Sequence, residues 1–525
     1  MTDASDEVAI EFESRRGRLV LSTVVLGSAV AMLTATVVNV ALPTLARSLD
    51  AGSAGQKWIV NGYTLTLASF ILIGGSLGDR YGRVLVFRVG IAWFAVASLL
   101  CAIAWSTPSL IAFRLLQGVG GALLTPGSLS IIEASFRRDD RGRAVGAWSG
   151  ITGIAGAIGP LLGGLLVELS WRWVFVINLP IAVAVLVLSR WAPESQDPRA
   201  HDAPLDWRGA ILTAVVLAGV SYALIEGPEN GFSTVEAGVV AVAVAGTVAL
   251  WFVERHRRGS MLPVELFADR TFSVANGLTF VIYGAMGVLF FLLSIQLQVT
   301  AGWSPLATGA ALLPVTAIML VLSSRMGDLA ARIGPRWPLT VGPVVAACGM
   351  ALMTRIGDDA SYLTDVLPAV SVFGLGLAGI VAPVTSAALG AAPEERSGAA
   401  SGVNNAVART GGLLAVAAVP GFVGLTGDAL SDPVQLAPGF EQAMWVSAAL
   451  LVGSAVIAAV LLEAVPVEAP ETGPGPGPES EPEGEFDAED EFDAEETVAE
   501  KIVWRHGCPV DGELTSVLHD RRPFA

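Results

Sequence analysis

Apolar residues in this chain gather into long uninterrupted runs, such as Leu19–Leu42, Val84–Trp105 and Phe272–Leu297. A helix rises about 1.5 Å per residue, so a hydrocarbon layer about 30 Å thick is crossed by roughly 20 residues. Runs of that length recur at 19–42, 56–78, 84–105, 108–134, 143–167, 172–190, 207–225, 235–254, 272–299, 305–327, 336–356, 362–389, 397–424 and 440–463. One such run could be a buried core helix; fourteen in series predict an all-α polytopic membrane protein.

The polar positions between the runs give an orientation. With the N-terminus inside, the inner segments hold 21 basic residues, among them Arg80, Arg83, Arg137, Arg138, Arg332 and Arg336; the outer segments hold only Arg47, Lys57, Arg172 and Arg355. Basic loops stay on the cytoplasmic side, so both termini are expected in the cytoplasm. A missed or invented span would scramble this alternation.

Composition agrees. The chain is 53% hydrophobic and 15% charged, against about 25% charged in soluble domains. Its net charge of −17 is concentrated in 464–525, which hold 17 acidic and 4 basic residues. This balance argues against a nucleic-acid partner. The tail is rich in Pro, Gly and Glu, repeats a hexapeptide at Glu485–Asp490 and Glu491–Glu496, and is expected to be disordered. Cys101, Cys348 and Cys508 form neither a disulfide framework nor a metal spacing, so no cofactor is expected. Met1–Arg18 is polar and mixed in charge, unlike a cleavable signal peptide.

Two loops resemble each other. The first runs from Gly75 through Asp79, Arg80 and Gly82 to Arg83; the second runs from Gly327 through Arg332 and Gly334 to Arg336. Both place glycines seven apart, with an arginine two before the second glycine. If the chain is two parallel repeats, each loop follows the second span of its half. The expected division is therefore an N-terminal segment 1–18, six-helix bundles at 19–190 and 272–463, an inserted pair of spans within 191–271, and the tail 464–525.

The loop at 75–83 resembles the signature loop of the major facilitator superfamily. Arg114-Leu-Leu-Gln117-Gly118 resembles its fourth-helix motif, and Gly156-Ala-Ile-Gly159-Pro160-Leu-Leu-Gly163-Gly164 its antiporter-associated fifth-helix motif. Val38–Pro43, Trp171–Pro180 and Leu262–Phe272 resemble the fourteen-span drug:proton antiporter branch. The resemblance covers about 19–463. It implies a monomeric secondary transporter in the plasma membrane of a prokaryote, exporting small hydrophobic compounds against protons by alternating access. It further implies that Gly75, Asp79, Arg80, Gly82 and Arg83 form a conformational latch. A carboxylate at a helix C-terminus needs such a partner, because the helix dipole disfavours it there.

Charge at bilayer depth is costly and usually faces a cavity or a partner. Arg114 and Arg409 sit at such depth. With Gln117, Asn404, Asn405, Thr34 and Asn39 they are expected to line the substrate cavity. The small residues Gly156, Gly159, Gly163 and Gly164 are expected to bring helices close, with Pro160 bending the fifth span.

The family segment beginning Asp-x-Thr has Thr34 at its acidic position. No Asp, Glu or His falls near the middle of any span, and all four histidines lie in loops or the tail. Arginine does not titrate in the accessible range. Asp79 and Glu133, near the cytoplasmic mouth, are therefore the candidate proton sites. A cavity with Arg114 and Arg409 and no deep carboxylate is expected to favour neutral or anionic lipophiles over cationic ones. Alternatives are a dedicated exporter of one self-made metabolite, or a non-transporting sensor signalling through the acidic tail. No nucleophile, metal or phosphate-binding constellation suggests an enzyme.

Overall fold

The computed structural model describes residues 10–463 apart from 197–204, 232, 257–263 and 394–395. The acidic tail and residues 1–9 lie outside the described residues. The described chain is helical: α1 (Arg15–Leu49), α2 (Ser53–Tyr81), α3 (Arg83–Ala102), α4 (Thr107–Ser135) and α5 (Arg138–Leu169) lead to a sixth span made of α6 (Trp173–Val176) and α7 (Asn178–Leu188). Then come α8 (Trp207–Asn230), α9 (Thr234–His256), α10 (Arg270–Ile295), α11 (Pro305–Ala311), α12 (Leu313–Ile333), α13 (Arg336–Met353), α14 (Leu367–Ala378), α15 (Val381–Gly390), α16 (Ser397–Phe422) and α17 (Pro433–Leu461).

Thirteen helical stretches among the described residues are long and apolar enough to cross a membrane. The fourteenth predicted span is α16, whose 26 residues suffice in length. Its Asn404, Asn405, Arg409 and several glycines dilute the apolar signal. Large apolar residues face outward as well as inward: α9 exposes Val240, Val242, Val244 and Val248. That is the pattern of a helix whose solvent is lipid.

Local chemistry sets the ends. Ser106 and Ser109 form a capping box that starts α4, and Ser304 and Asp432 cap α11 and α17 just ahead of prolines. These groups satisfy orphan N–H donors of the first turn. The two resembling loops end their helices alike: Gly82 has φ +115° and Gly334 φ +82°. Residues with a Cβ rarely adopt that conformation, which explains the glycine at this place in both loops.

Neighbour relations recur between the halves. α1 packs on α5 and α7 as α10 packs on α16 and α17. α4 packs on α2 and α3 as α14 packs on α12 and α13, and α3 meets α6 and α7 as α13 meets α17. The inserted α8 packs on α9 and also reaches α2 and α16, placing Leu217 in a small apolar cluster with Leu65, Ala68 and Leu413.

Candidate functional site

The seam between the two helix groups is tightly packed at one end and loosens along α5 toward the other, although α2 and α16 still meet there, with Leu72 Cδ2 2.8 Å from where a side chain at Gly402 would begin. At the closed end a side chain added at Gly164 would begin 2.6 Å from Leu306 Cα and 2.8 Å from the Pro305 carbonyl carbon, and Gly309 lies against the Pro160 carbonyl. Gln298 Nε2 donates to the Val40 carbonyl at 2.9 Å, and Ser53 N–H donates to the Gly427 carbonyl at 2.7 Å. Farther along α5, Trp148 Nε1 donates to Ser28 Oγ of α1 at 2.9 Å, but the glycines there face open space. Gly142, Gly146, Gly150 and Gly153 have nothing within 4 Å of where a side chain would begin. The predicted small-residue stripe thus splits. Gly159 and Gly163 lie against Thr36 and Val37 of α1, and Gly164 lies against α11. Gly156 has only Met32 Cβ, at 4.0 Å. Pro160 lies inside α5, and its carbonyl meets Gly309.

Arg409 projects from α16 toward the opposite half. Its Nη2 reaches Met32 Sδ at 3.9 Å, while its Nε is buried with no hydrogen-bond partner among the described residues. Gln298, which bridges to Val40 of α1, leaves its Oε1 buried without a partner, and Asn39 Oδ1 of α1 is likewise buried and unpartnered. Buried polar atoms are nearly always satisfied, so a positive donor and two acceptors left open at one seam are groups a ligand can satisfy.

Arg114, Gln117 and Thr34 differ from the expectation that they line the cavity. Arg114 is 1% exposed. Its Nε donates to the Ile59 carbonyl at 3.1 Å and its Nη1 to Gln117 Oε1 at 2.6 Å, and its guanidinium lies 4.6 Å from the Tyr63 ring centroid. Gln117 Nε2 donates to Ser98 Oγ at 2.8 Å; Asn178 Nδ2 also donates to Ser98 Oγ, and Thr34 Oγ1 donates to Asn178 Oδ1, both at 3.3 Å. All five residues are buried in one network inside the first helix group. The reason is satisfaction: the charge finds acceptors and a ring face within its own bundle. Asn404 is likewise buried, donating to Asn276 Oδ1 at 3.2 Å and Thr279 Oγ1 at 3.0 Å. Asn405 is half-buried.

The loop that resembles the signature motif is held within the first helix group by Ser130 and Glu194. Asp79 Oδ1 pairs with Arg83 at 2.9 Å, and Arg83 Nη1 donates to the Ser130 carbonyl at 3.3 Å. Arg80 lies over the Tyr81 ring. Gly75 rests on Pro126, and Gly82 faces Glu194, whose carboxylate accepts from the N–H groups of Val84 and Leu85 and so caps α3. Glu133 is exposed on α4. The Asp79–Arg83 pair is partly exposed, at 37% and 21%, and such pairs contribute only about 0–1 kcal/mol. Asp79→Asn is therefore expected to leave the amount of folded protein in the membrane unchanged. A transport loss in that variant, measured beside its thermal unfolding, reports on conformational change; a matching loss of folded protein would contradict the assignment.

Sequence reasoning missed the closed-end partners. Lys57 is fully buried and paired with Glu229 at 3.0 Å, and Trp58 Nε1 donates to Glu226 Oε1 at 2.9 Å. A signal existed: Lys57 and Lys501 are the only lysines in the chain, and a lysine at the head of an apolar run needs an explanation. Among the described residues no cluster of His, Cys, Asp and Glu could hold a metal.

The chain was compared with known proteins. Multidrug resistance protein Stp of Mycobacterium tuberculosis is 33% identical over 408 residues, covering 77% of this chain and 75% of that protein. The Tetracenomycin C resistance and export protein of Streptomyces glaucescens is 33% identical over 402 residues, covering 76% and 74%. In fold, the chain is similar to a bacterial homolog of the human lysosomal transporter Spinster, crystallised inward-facing and unoccupied; the TM-score is 0.62 at 17% identity, covering 86% of this chain and 97% of that one. The Major Facilitator Superfamily model matches residues 24–416. With that match, and with relatives at 33% identity that are named for drug resistance and export, the chain belongs to the Major Facilitator Superfamily.

Proposed function

We propose that this protein exports small, largely hydrophobic compounds across the plasma membrane of a prokaryote, as a monomer with both termini in the cytoplasm, by alternating access coupled to proton entry. The carrying observation is the seam. Helix α5 is locked to α11 through Gly164 at one end, whereas its glycines from 142 to 153 have no atom within 4 Å of where a side chain would begin, with the unsatisfied Arg409 Nε in between. A rigid pair of bundles sealed at one end and parted at the other is one of the two states an alternating-access cycle requires. The recurring neighbour pairs favour two six-helix bundles at 19–190 and 272–463, with an added pair between them. The named functions of the multidrug and tetracenomycin relatives favour drug-like cargo, and the latter also favours a narrower second reading, export of one self-made metabolite. With Arg409 at the seam and Asn39 beside it, the cavity is positive and favours neutral or anionic lipophiles. Asp79 and Glu133 remain the candidate proton carriers at the parted end.

Everted vesicles test this. With a proton gradient imposed, an anionic lipophilic dye is expected to accumulate, and a protonophore is expected to return it to the passive level. Concentrative uptake that survives gradient collapse would overturn proton antiport. A quaternary ammonium dye transported better than the anionic one would overturn the charge preference.

A further inference from the structure

We infer that the turn between α4 and α5 is a recognition surface for an acid–Phe–acid peptide segment, held in this state by residues 10–14 as a detachable strap. Ile10 forms a short parallel bridge with the backbone of the turn: its N–H donates to the Ser135 carbonyl at 2.8 Å, and its carbonyl accepts from Arg137 N–H at 3.3 Å. Main-chain pairing of this kind gives a peptide affinity, and side-chain contacts give it specificity. The next three residues supply the specificity. Glu11 pairs with Arg137 at 2.7 Å and Glu13 with Arg143 at 3.0 Å. Between them, the Phe12 ring centroid lies 6.3 Å from that of Phe136 and 4.9 Å from the Arg143 guanidinium. Phe12 N–H donates to Asp140 Oδ2 at 2.9 Å, and Asp140 is itself balanced by Arg143 at 3.7 Å. Residues 137–143 hold four arginines and two aspartates, a net positive surface that suits an acidic segment.

The same contacts make the strap detachable. All four side chains of the Glu11–Arg137 and Glu13–Arg143 pairs are more than half exposed. Exposed pairs hold weakly, so the strap can lift by local opening without unfolding the bundle. Ile10 and Phe136, by contrast, are buried in an apolar cluster that they share with Ala144 of α5. The seat therefore bares apolar surface when the strap leaves, and a second segment of the same pattern covers it again. The sequence points to that pattern: of 20 phenylalanines, only Phe12, Phe486 and Phe492 have an acid on both sides. Residues 485–496, made as a separate peptide, carry the triplet twice and are the probe that the sequence supplies. At its other end the strap is continuous with α1, where Ser14 Oγ accepts from Gly17 N–H and Gly17 lies against the Glu11 and Phe12 carbonyls. A segment that displaces the strap thus unties the start of α1 from the start of α5, the stretch whose glycines face open space.

Ile10→Cys reports on the strap, since Ile10 is 6% exposed. It is introduced into the full chain after Cys101, Cys348 and Cys508 are replaced by alanine, and its labelling by a maleimide is timed in the purified protein. Phe12→Ala is expected to raise the labelling rate at least ~5-fold, through the combined loss of a ring pair and a cation–π contact. Glu11→Arg and Arg137→Glu are each expected to raise it, and the two together to return it to within ~2-fold of the parent, as coupling between paired charges requires. A peptide of residues 485–496 is expected to raise the parent rate to a plateau; the same peptide with both phenylalanines replaced by alanine is expected to leave it unchanged. Parent labelling as fast as that of the urea-unfolded chain would overturn the strap. So would a Phe12→Ala rate equal to the parent's, or swapped charges that label no more slowly than either single reversal. A parent rate that the peptide leaves unmoved, or that the alanine peptide moves equally, would overturn the recognition surface. The peptide measurement needs no substitution in the seat, so it decides even if Phe12→Ala or Arg137→Glu fails to fold.

Discussion

Gly164→Val is expected to abolish concentrative export while the protein still reaches the membrane folded. The added side chain would start 2.6 Å from Leu306 Cα, and a backbone atom cannot swing away as a side-chain end can. Overpacking of this kind costs about 1–3 kcal/mol. That cost falls only on the state in which α5 touches α11, so it acts as a population shift of roughly 5–150-fold against a required step. Gly153→Val supplies the contrast. It meets nothing within 4 Å in this state, so its cost falls on whichever state brings the parted end together. Efflux rates are measured beside membrane abundance and thermal unfolding. Wild-type export by Gly164→Val would mean that the seam does not need to close there.

How far that seam could be read in advance follows from the physics of each element. Span number came from apolar run length, which depends on local sequence alone. The repeated loops were visible because Gly82 and Gly334 perform the same backbone task, so both had to be glycine. Helix interruptions at Ile177, Leu312 and Gly379 fall within apolar runs, and their one signal is a proline in the first turn of the helix that follows, at Pro180, Pro314 and Pro383. The direction of a side chain was also hidden. Arg114 and Arg409 are both arginines at bilayer depth, but whether each turns inward to its own bundle or outward to the seam depends on helix rotation, which the surrounding residues set in three dimensions. The Lys57–Glu229 pair was the least legible feature, because the two lie 172 residues apart: Lys57 stands out alone, but nothing local names its partner.

That difference between the two arginines yields the second large effect. Arg409→Ala is expected to destroy export of anionic lipophiles without lowering the folded amount, whereas Arg114→Ala is expected to lower the folded amount itself. Arg114 has acceptors in Ile59 and Gln117 and a ring face in Tyr63. Its removal strands Gln117 Oε1, at about 1–3 kcal/mol for a buried unsatisfied group, and forfeits a desolvated cation–π contact of about 2 kcal/mol. Arg409 has a buried Nε with no partner and a weak contact to Met32, so its removal strands no hydrogen-bond partner. What it loses is attraction for cargo. A carboxylate 4 Å from a guanidinium gains about 4 kcal/mol at an effective dielectric near 20, a ceiling on the order of a thousandfold in affinity. Neutral cargo should suffer less, and Arg409→Lys, which keeps the charge but not the planar fork, should recover part of the anionic transport. Dye uptake in vesicles and thermal unfolding of each purified variant separate the two arginines. Equal loss of folded protein in both would mean that Arg409, like Arg114, serves the fold; anionic export by Arg409→Ala at the wild-type rate would remove it from the cargo site.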